Sequence, residues 1–363
     1  MAQKNIVLKF GGSCLKSSSE IQLAADIVQN YKEKGYGVVA VVSAMEGTTN
    51  RLLSLSHELT ETPDRRELDM LLSAGERIAM SMLSIALIDK KIPAISFTGS
   101  QAGILTNDRH SGADIVDVKA FRVSEEIEKS KVVVLAGFQG VCPETKEVTT
   151  LGRGGTDTTA VAISSYINAE KCVLFKDVDS VYNFDPKLNK SAKAIKSISY
   201  ENMLKLSQNG AKIIHDKAIL WAKRHSVKIE VNDFHQAQKV GTLISDCSSD
   251  LISCANLIKS CLVFKCPSLE EFNQYLYQTN QNDLQIISFK DATHLLHGPE
   301  EALKYFIKIY KPDVCEIISD ILSAIGSSFP IEPNPGYEKK ETSDFHYLIA
   351  EKVKLEQVIS RLH

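Results

Sequence analysis

NIVLKFGGS, residues 5–13, is the first of several short apolar runs from which the architecture of this chain can be predicted. Its apolar, partly β-branched residues predict a buried strand, and the two glycines that follow predict a tight turn. Because glycine has no Cβ, backbone N–H groups in such a turn can approach a bound anion closely. Lys9 adds a positive charge at the same end of the strand. The turn is not a Walker loop, which requires G-x-x-x-x-G-K-[ST], and on its own it is more often an ordinary turn than an anion site.

Similar apolar runs recur along the first part of the chain, and segments with helical periodicity separate them. The predicted strands cover residues 5–10, 37–45, 94–99, 132–138 and 171–178. The predicted helices cover Glu20–Lys34, Glu67–Lys90, residues 117–130 and residues 158–169. Continuous apolar strands that alternate with helices are typical of a parallel sheet buried on both faces. The pattern therefore predicts a doubly wound α/β domain over residues 1–245.

This rhythm is lost around residues 245–256, which are predicted to form a linker, and a smaller second domain is predicted over residues 246–363. A shorter series of strands and helices follows the linker. Its predicted strands cover residues 260–265, 283–289 and 344–350. Its predicted helices cover residues 269–278, 299–310 and 353–363, and a loop with proline and glycine covers residues 329–340.

Composition and charge exclude several classes of protein. The 363 residues carry a formal net charge of −3 with a pI near 6.3, so no electrostatic feature points to nucleic acid or to an anionic membrane as partner. The N-terminus has no pattern of a secretion signal, and apolar runs such as residues 132–138 are too short to span a bilayer. The eight cysteines form no paired C-x-x-C motifs, which disfavours zinc and favours reduced thiols in a cytosolic protein.

The second candidate site is TTLGRGGTDTTAVAI, residues 149–163. Its glycines form a flexible loop, and Thr156 or Asp157 could cap a helix that begins near Thr158. A helix N-terminus that follows glycines is a natural site for an anion. Arg153 could hold a carboxylate bidentately, and Asp157 could accept hydrogen bonds from an ammonium group. This combination is what an amino-acid substrate needs, although a capped helix beside a surface arginine would show the same pattern.

Two further motifs are ambiguous when the residues are considered alone. In KDVDSVYNFDPK, residues 176–187, Tyr182 could stack on an adenine ring, or the segment could be an acidic connection between a strand and a loop. In NGAKIIH, residues 209–215, Lys212 follows a predicted helix C-cap at Gly210. A lone exposed lysine would ordinarily be the simpler interpretation of that second motif.

Taken together, these motifs carry a specific resemblance. KFGGS resembles the amino acid kinase superfamily, and the other motifs narrow the resemblance to the aspartate kinases. They follow the order and the spacing of that family over residues 4–245. The matching stretches are VVSAMEGTTNRL (41–52), LLSAGERI (71–78), SFTGSQAGI (96–104), GFQGV (137–141), TTLGRGGTDTTA (149–160), DVDSVYNFDP (177–186) and NGAKIIH (209–215).

The resemblance implies an amino-acid-kinase-like sandwich with a mostly parallel central sheet, and ATP-dependent phosphorylation of the L-aspartate β-carboxylate, with Mg²⁺ bound to the ATP. It implies catalytic roles for Lys9, Asp157 and Lys212. The substrate-binding positions that it implies are Ser43, Thr49, Glu76, Arg153, Gly154, Gly155 and Thr156. The nucleotide-binding positions that it implies are Lys9, Gly11, Gly12, Ser13, Lys176, Asp177, Tyr182, Lys187, Lys212 and Ile213. Many relatives have an arginine at the position of Lys187, and a lysine keeps that charge without the bidentate fork.

In the tail the resemblance is weaker. Relatives end in regulatory ACT modules, and residues 246–363 resemble a degenerate ACT-like α+β domain. The family's D-x-P-G ligand turn is replaced by Cys266-Pro267-Ser268. The resemblance implies a homodimer or a higher homo-oligomer formed through this domain, and it leaves feedback by lysine or threonine open. The alternatives are a kinase of the same superfamily acting on glutamate, N-acetylglutamate, carbamate or UMP, a non-catalytic regulatory homologue, and a dedicated copy serving a specialised pathway.

Overall fold

A computed structural model gives the fold of two compact units. It describes residues 3–183, 185–187, 192–208, 211, 213–246, 254–265, 285–288, 293–297, 315–325, 338–341 and 346–350. The first unit contains residues 1–181, 196–200 and 214–248, and the second contains residues 182–195, 201–213 and 249–363. Residues 182–195 and 201–213 therefore cluster with the C-terminal segment, although they lie within the stretch predicted as the first domain.

The strands up to residue 245 are short, and most of them are rich in valine and isoleucine. In chain order they are β1 (Asn5–Phe10), β2 (Gly37–Val42), β3 (Ala94–Phe97), β4 (Ile104–Thr106), β5 (Ile115–Val118), β6 (Val132–Ala136), β7 (Gln139–Val141), β8 (Val148–Thr150), β9 (Cys172–Lys176), β10 (Val181–Tyr182), β11 (Ala194–Ile195), β12 (Ser197–Ser199), β13 (Ile229–Asp233) and β14 (Thr242–Ser245).

Eight of these strands form the central sheet of the first unit, in the order β12-β14-β13-β9-β1-β2-β6-β3. Every neighbouring pair is parallel except β13 with β14. All residues of β2 and β6 are buried, as expected for strands covered on both faces. The prediction of a mostly parallel α/β sheet is confirmed.

A second, four-stranded sheet in the first unit was not predicted. Its order is β5-β4-β7-β8, with one parallel pair, β4 with β7, between two antiparallel pairs. Its strands have only three or four residues each, too few to show a clear alternation of polar and apolar side chains. Residues 117–118, which were predicted to start a helix, belong to β5 instead.

Four of the helices in the described residues were predicted, with shifted ends, whereas the helices at 48–59 and 216–225 were not predicted. The described helices are α1 (Ser18–Glu33), α2 (Thr48–Leu59), α3 (Arg65–Asp89), α4 (Phe121–Glu128), α5 (Gly155–Tyr166), α6 (Tyr200–Gln208) and α7 (Asp216–His225), with a 3₁₀ turn at Gly12–Leu15. At the start of α3, the Asp64 carboxylate accepts hydrogen bonds from the backbone N–H groups of Arg66 and Glu67.

Helix α3 is long and apolar enough to meet the length and composition of a membrane span, with a mean hydropathy of 1.5 over its most apolar window. However, 56% of that window is buried within the fold, which is typical of a core helix of a globular domain. It is the single such helix among the described residues.

The second unit contains a six-stranded antiparallel sheet. Its strands are β15 (Cys254–Lys265), β16 (Gln285–Ser288), β17 (Thr293–His297), β18 (Cys315–Ile325), β19 (Glu338–Glu341) and β20 (His346–Ala350), in the order β16-β17-β15-β18-β20-β19. The linker is therefore shorter than predicted, since β15 starts at Cys254, and the predicted loop 329–340 overlaps β19. Strands β17 and β18 were missed. The helices predicted at residues 269–278, 299–310 and 353–363 lie outside the described residues.

Candidate active site

The candidate site of the first unit lies at the carboxyl ends of neighbouring parallel strands. In β1, Lys9 is in register with Val41 of β2 and with Leu174 of β9. Three predicted site positions therefore come to one edge: Lys9 near the end of β1, Ser43 just after β2, and Lys176 at the end of β9. In open α/β sheets this edge is where ligands bind.

A buried cluster of three charges occupies this edge. The Lys9 Nζ lies 2.7 Å from Asp157 Oδ1, and the Lys176 Nζ lies 2.8 Å from Asp157 Oδ2. Lys176 donates a hydrogen bond to Asp157, whereas the contact of Lys9 is an ion pair without the alignment of a directed hydrogen bond. The side chains of Lys9 and Asp157 are only 7% and 6% exposed. The carboxylate of Asp157 thus joins two lysines that are far apart in the sequence.

Burial and neighbouring charges act in opposite directions on this cluster. Burial alone would raise the pKa of the Asp157 carboxyl, but Lys176 and Lys9 outweigh that effect and hold the pKa well below its usual range. Burial lowers the pKa of the Lys176 ammonium, and the like charge of Lys9 lowers it further, while Asp157 acts in the opposite direction. Two positive charges against one negative charge leave the cluster able to attract an anion.

The glycine turn after β1 packs closely against this cluster. A Cβ placed on Gly11 would lie 3.5 Å from the Lys9 Nζ, so the amine lies beside the backbone of the turn. A Cβ on Gly12 would lie 2.9 Å from the carbonyl oxygen of Ala44, closer than real Cβ atoms come. Ser13 follows in the 3₁₀ turn and is partly buried. The predicted phosphate turn therefore adjoins the lysine that was predicted to act with it.

The glycine loop before α5 differs from the prediction at the start of the helix. The helix begins at Gly155, three residues before Thr158, and its N-cap is Gly154 in the left-handed conformation with φ of +68°. Thr156 and Asp157 are therefore buried residues of the first turn, and neither of them is the cap. The start of the helix can pack closely against the residue after β6 because Gly137 has no side chain. A Cβ at this position would lie 2.5 Å from the Thr156 Cγ2, which is too close.

Asp157 accepts its contacts in this structure from two lysines of the protein. Its role as an acceptor for a substrate ammonium group stays a prediction. Arg153 is exposed in the loop beside Gly152 and Gly154, where it can meet a ligand from solution. Its assignment as a carboxylate clamp stays a prediction.

Glu76 reaches the same edge from the middle of α3. Its Oε1 accepts a hydrogen bond of 3.0 Å from the backbone N–H of Ala44, directly after Ser43. Burial raises the pKa of the Glu76 carboxyl to about 7, although the N–H of Ala44 acts in the opposite direction. Its Oε2 is buried and has no hydrogen-bond partner in the described part of the chain. Thr49 is partly buried in the first turn of α2.

One polar residue next to this region was missed by the sequence analysis. Asp69 of α3 is fully buried and accepts hydrogen bonds from the Ser111 backbone N–H, at 3.1 Å, and from the hydroxyl of Thr150; the His110 Nδ1 lies 2.7 Å from it. These hydrogen bonds hold residues 110–111 in place. The segment lies beside the glycine loop, since a Cβ on Gly152 would lie 3.6 Å from the Ser111 carbonyl oxygen. The signal was available, because Asp69 lies seven residues before Glu76 and shares the buried face of the helix.

Four further predicted nucleotide-binding positions lie among the described residues, and a fifth does not. Asp177 is exposed directly after β9. Tyr182, Lys187 and Ile213 belong to the second unit, where Tyr182 and Ile213 are partly buried and Lys187 is exposed. Lys212 lies outside the described residues. The nucleotide contacts of all five stay predictions.

The described residues contain no group of three or more histidine, cysteine, aspartate or glutamate side chains that could hold a metal ion. Both carboxylate oxygens of Asp157 already contact lysines. These residues do not fit a metal centre held by protein ligands alone.

The fold and this site define a class of protein. Residues 4–233 match the amino acid kinase family, and the chain belongs to that family. Among curated relatives, it is 45% identical over 244 residues to aspartokinase 2 of Bacillus subtilis and 43% identical over 246 residues to the aspartokinase of Corynebacterium glutamicum. These matches cover 67% and 68% of this chain but only 59% and 58% of the relatives' own lengths.

A solved structure supports the same fold. The chain is similar to Escherichia coli aspartokinase III in complex with aspartate and ADP, with a TM-score of 0.78 and 18% sequence identity. The similarity covers 99% of each chain.

Proposed function

We propose that this protein is an aspartate kinase, which transfers the terminal phosphoryl group of ATP to the β-carboxylate of L-aspartate. The observation that carries the proposal is the cluster of Lys9, Lys176 and Asp157 at the carboxyl edge of the sheet, beside a glycine turn. Identities of 45% over 244 residues and 43% over 246 residues to aspartokinases support the choice of substrate. The product is an acyl phosphate.

The charges of the reactants explain why such a cluster is needed. The β-carboxylate has an ordinary pKa of about 3.9, so it is ionised at neutral pH and needs no general base. The obstacle is the repulsion between this anion and the negatively charged terminal phosphate. Phosphoryl transfer is therefore mainly a matter of alignment and charge neutralisation. Lys9, Lys176 and the amides of Gly11 and Gly12 supply positive charge and hydrogen-bond donors at the point of transfer.

In the proposed arrangement, a second set of residues at the same edge of the sheet holds the aspartate substrate. Arg153 clamps the α-carboxylate, and it is exposed in a loop whose amides lead directly into the first turn of α5. Glu76 presents its unpartnered Oε2 to the amino group of the substrate, since an ammonium group would satisfy a buried carboxylate oxygen. Ser43, Thr49, Gly154, Gly155 and Thr156 complete the aspartate site.

The nucleotide is held by the remaining predicted positions. These are Ser13, Lys176, Asp177, Tyr182, Lys187, Lys212 and Ile213. ATP brings Mg²⁺ with it, because this ion keeps water ligands and binds substrate phosphates more readily than all-protein cages. When bound, the ion would neutralise phosphate charge.

Residues 246–363 are proposed to form a degenerate ACT-like domain that pairs subunits. The antiparallel sheet of the second unit is compatible with an α+β domain of this kind. In a cell, the proposed reaction would be the first step toward lysine, threonine and methionine, carried out in the cytoplasm.

A hydroxamate assay tests the proposal directly. Hydroxylamine traps an acyl phosphate, so the full chain with ATP, Mg²⁺ and L-aspartate is expected to give a hydroxamate, and none without ATP. Parallel reactions with glutamate, N-acetylglutamate, carbamate and UMP, followed by ADP release, distinguish the other kinases of the family. ATP turnover with one of these acceptors and none with aspartate would replace the proposed substrate, and no turnover with any of them would indicate a non-catalytic homologue.

The Lys9→Ala variant links that activity to the charge cluster. We expect kcat to fall at least about 100-fold, since one of two positive charges at the point of transfer is lost. The exposed Lys119→Ala variant is the control and should keep the wild-type rate. A Lys9→Ala enzyme with more than about a tenth of the wild-type kcat would contradict the role of this cluster.

A further inference from the structure

The connection from β13 to β14 ends in a turn at the same edge of the central sheet as the charge cluster. We call residues 239–242 the closing turn. Because β14 runs antiparallel to β13, its first residue, Thr242, lies near the carboxyl ends of β13 and β9. Thr242 is fully buried and in register with Val231 of β13. No site residue was predicted in this turn.

The closing turn contacts the segment that follows β9, residues 177–181. The Thr242 hydroxyl oxygen accepts a buried hydrogen bond of 2.8 Å from the backbone N–H of Val181. The Lys239 Nζ lies 3.0 Å from the Asp179 carboxylate. Two side chains of the closing turn therefore hold two positions of this segment.

Gly241 brings the backbone of the closing turn against the same segment. A Cβ at this position would collide with the backbone carbonyl oxygens of Asp179 and Val231. A residue without a side chain is therefore needed for the backbones to approach so closely. The approach also brings the next residue, Thr242, to the N–H of Val181.

A buried chain of polar side chains fixes the closing turn from the side of the sheet. The Asn232 Oδ1 accepts a hydrogen bond of 3.0 Å from the backbone N–H of Gly241, and its Nδ2 donates one of 2.8 Å to Glu230. The other carboxylate oxygen of Glu230 accepts a hydrogen bond of 2.6 Å from the Lys171 Nζ. Asn232 and Glu230 are both buried. A buried polar network whose members are paired in this way is rigid.

We propose that Thr242 is a positioning residue for the nucleotide, because its hydroxyl holds residues 177–181 in the conformation that binds ATP. The inference rests on the proposed function, in which Asp177 and, directly after the segment, Tyr182 contact the nucleotide. The pairing of β9 with β13 ends at Lys176, so the segment lies beyond the support of the sheet ladder. A segment that is already ordered loses less conformational entropy when a ligand binds.

The same geometry predicts which kinetic constants depend on Thr242. Lys176 is held independently of the closing turn, because β9 pairs with both β1 and β13 and the Lys176 carbonyl oxygen accepts a hydrogen bond of 2.9 Å from the Phe234 N–H. Loss of the Thr242 hydroxyl should therefore loosen the segment and leave the charge cluster in place. The KM for ATP should rise, whereas kcat and the KM for aspartate should stay near the wild-type values.

Titration calorimetry of the full chain with ATP, together with steady-state kinetics, tests this prediction. Thr242→Val keeps the shape of the side chain and removes the acceptor of the Val181 N–H. The Kd and the KM for ATP should rise about tenfold, as expected when a segment adopts its binding conformation for about a tenth of the time. The kcat and the KM for aspartate should change by less than about twofold.

Two further replacements at the same position separate the hydroxyl from the side-chain shape. Thr242→Ser keeps the hydroxyl and should bind ATP within about threefold of wild type. Thr242→Ala removes the same acceptor without a branched apolar group and should weaken ATP binding as Thr242→Val does, so the test does not depend on a single replacement. Thermal unfolding checks that all three variants fold.

Thr106→Val is the matched control for the loss of a buried hydroxyl. Thr106 is fully buried in the four-stranded sheet, where its hydroxyl lies 2.6 Å from that of Thr149. This variant should lower the Tm and keep the wild-type affinity for ATP. Wild-type ATP affinity in Thr242→Val and Thr242→Ala, a Thr242→Ser protein as weak as Thr242→Val, or an equal loss of ATP affinity in Thr106→Val would overturn the inference.

The ATP titration needs no phosphoryl acceptor, which separates this inference from the proposed substrate. Weaker ATP binding by Thr242→Val, but not by Thr242→Ser, would support the inference even where the hydroxamate assay rejects aspartate. A wild-type protein that binds no ATP would overturn both the inference and the proposed function.

Discussion

Asp157 is the residue on which the charge balance of the site depends. Its carboxylate touches Lys9 and Lys176, whose ammonium groups would otherwise repel each other in a buried space. A buried ion pair is not necessarily stabilising compared with apolar residues, but removing one partner leaves an uncompensated charge. Asp157 therefore keeps two lysines together at the point where, in the proposed reaction, negative charge must be neutralised.

Asp157→Asn is expected to affect both stability and activity. The loss of the carboxylate leaves two buried positive charges and should lower the free energy of unfolding at pH 7 by about 3–5 kcal/mol. Because the pKa of Asp157 is lowered on folding, its contribution is present above the unfolded pKa and is lost as the pH falls toward the folded pKa. The difference from wild type should therefore shrink in acid.

Urea unfolding at several pH values measures this effect, and the hydroxamate assay measures the rate. The exposed carboxylate of Asp117, 3.9 Å from Lys119, provides the control variant Asp117→Asn, which should change stability by less than about 0.5 kcal/mol. Equal stabilities for Asp157→Asn and wild type at neutral pH would show that the cluster does not depend on this carboxylate.

Glu76 shows the opposite behaviour, because its burial is not balanced by a positive charge. Its pKa is raised on folding from 4.5 to about 7, so the folded protein binds a proton more tightly than the unfolded chain. The stability of the ligand-free protein should consequently fall as the pH rises from about 4.5 to about 7. Such a cost is often found where a residue is kept for binding.

Glu76→Gln should make the ligand-free protein more stable at pH 8, by up to about 3 kcal/mol. The glutamine can still accept the hydrogen bond of Ala44, and it carries no charge to bury. The gain should disappear below about pH 4.5, where the wild-type carboxyl is protonated in both states. In the proposed enzyme the same variant should raise the KM for aspartate.

Thermal and urea unfolding between pH 4 and pH 8 provide the measurement, and Glu125→Gln at an exposed position of α4 serves as the control. A Glu76→Gln protein that is less stable than wild type at pH 8 would mean that Glu76 has a positively charged partner.

At the scale of single residues, the sequence predicted which residues belong to the candidate site better than it predicted the contacts between them. Lys9, Asp157 and Lys176 were all named as site residues, yet the contact of Lys9 with Asp157 joins positions that are 148 residues apart. Contacts of this kind depend on the order of strands in the sheet, which short apolar runs do not encode. For the same reason the sequence did not predict that Asp157 contacts two lysines.

Among the elements, the loop before α5 combines an unusual backbone with close packing. Gly154 has φ of +68°, and a Cβ at this position would lie 2.2 Å from the Cβ of His215. His215 in turn caps α7 by accepting a hydrogen bond from the Lys217 backbone N–H. The glycine therefore allows the loop that carries Arg153 to lie directly on the start of α7.

Gly154→Ala should lower the free energy of unfolding by more than the left-handed backbone conformation alone would explain. The left-handed conformation costs a non-glycine residue about 1–2 kcal/mol, and the contact with His215 adds to that cost. Gly35→Ala is a matched control, since Gly35 has φ of +86° but open space around it. We expect the free energy of unfolding to fall clearly further for Gly154→Ala than for Gly35→Ala, and equal losses would show that the contact with His215 relaxes without cost.

The elements themselves were predictable to different extents. Strands β1, β2, β6 and β9 were predicted to within a few residues at each end, because continuous apolar runs flanked by glycine or charge have few alternatives. The start of α5 was placed too late, since the sequence offered Thr156 and Asp157 as side-chain caps and gave no sign that Gly154 would end the loop. The four-stranded sheet was missed because its strands are too short to show a period.

At the scale of the whole molecule, the two units differ in how much of their sequence is matched by the family and by the curated relatives. The matched segments of the aspartokinases cover about two thirds of this chain, and the family match ends at residue 233. The proposed role of residues 246–363 therefore depends on their sequence, in which Cys266-Pro267-Ser268 is predicted to replace the D-x-P-G ligand turn. Proline has no backbone N–H, and serine does not share the conformational freedom of glycine.

This difference predicts weak feedback control. A turn without the glycine loses the backbone freedom to surround a small effector, so lysine and threonine should each change the proposed aspartate kinase rate by less than about twofold, whereas allosteric effectors commonly act by about 5–150-fold. The hydroxamate assay at an aspartate concentration near KM is the measurement, because competition with substrate is most visible there. ADP, a product that must compete with ATP, is the positive control for inhibition. Inhibition by lysine or threonine beyond about fivefold would mean that the second unit still binds an effector despite its altered turn.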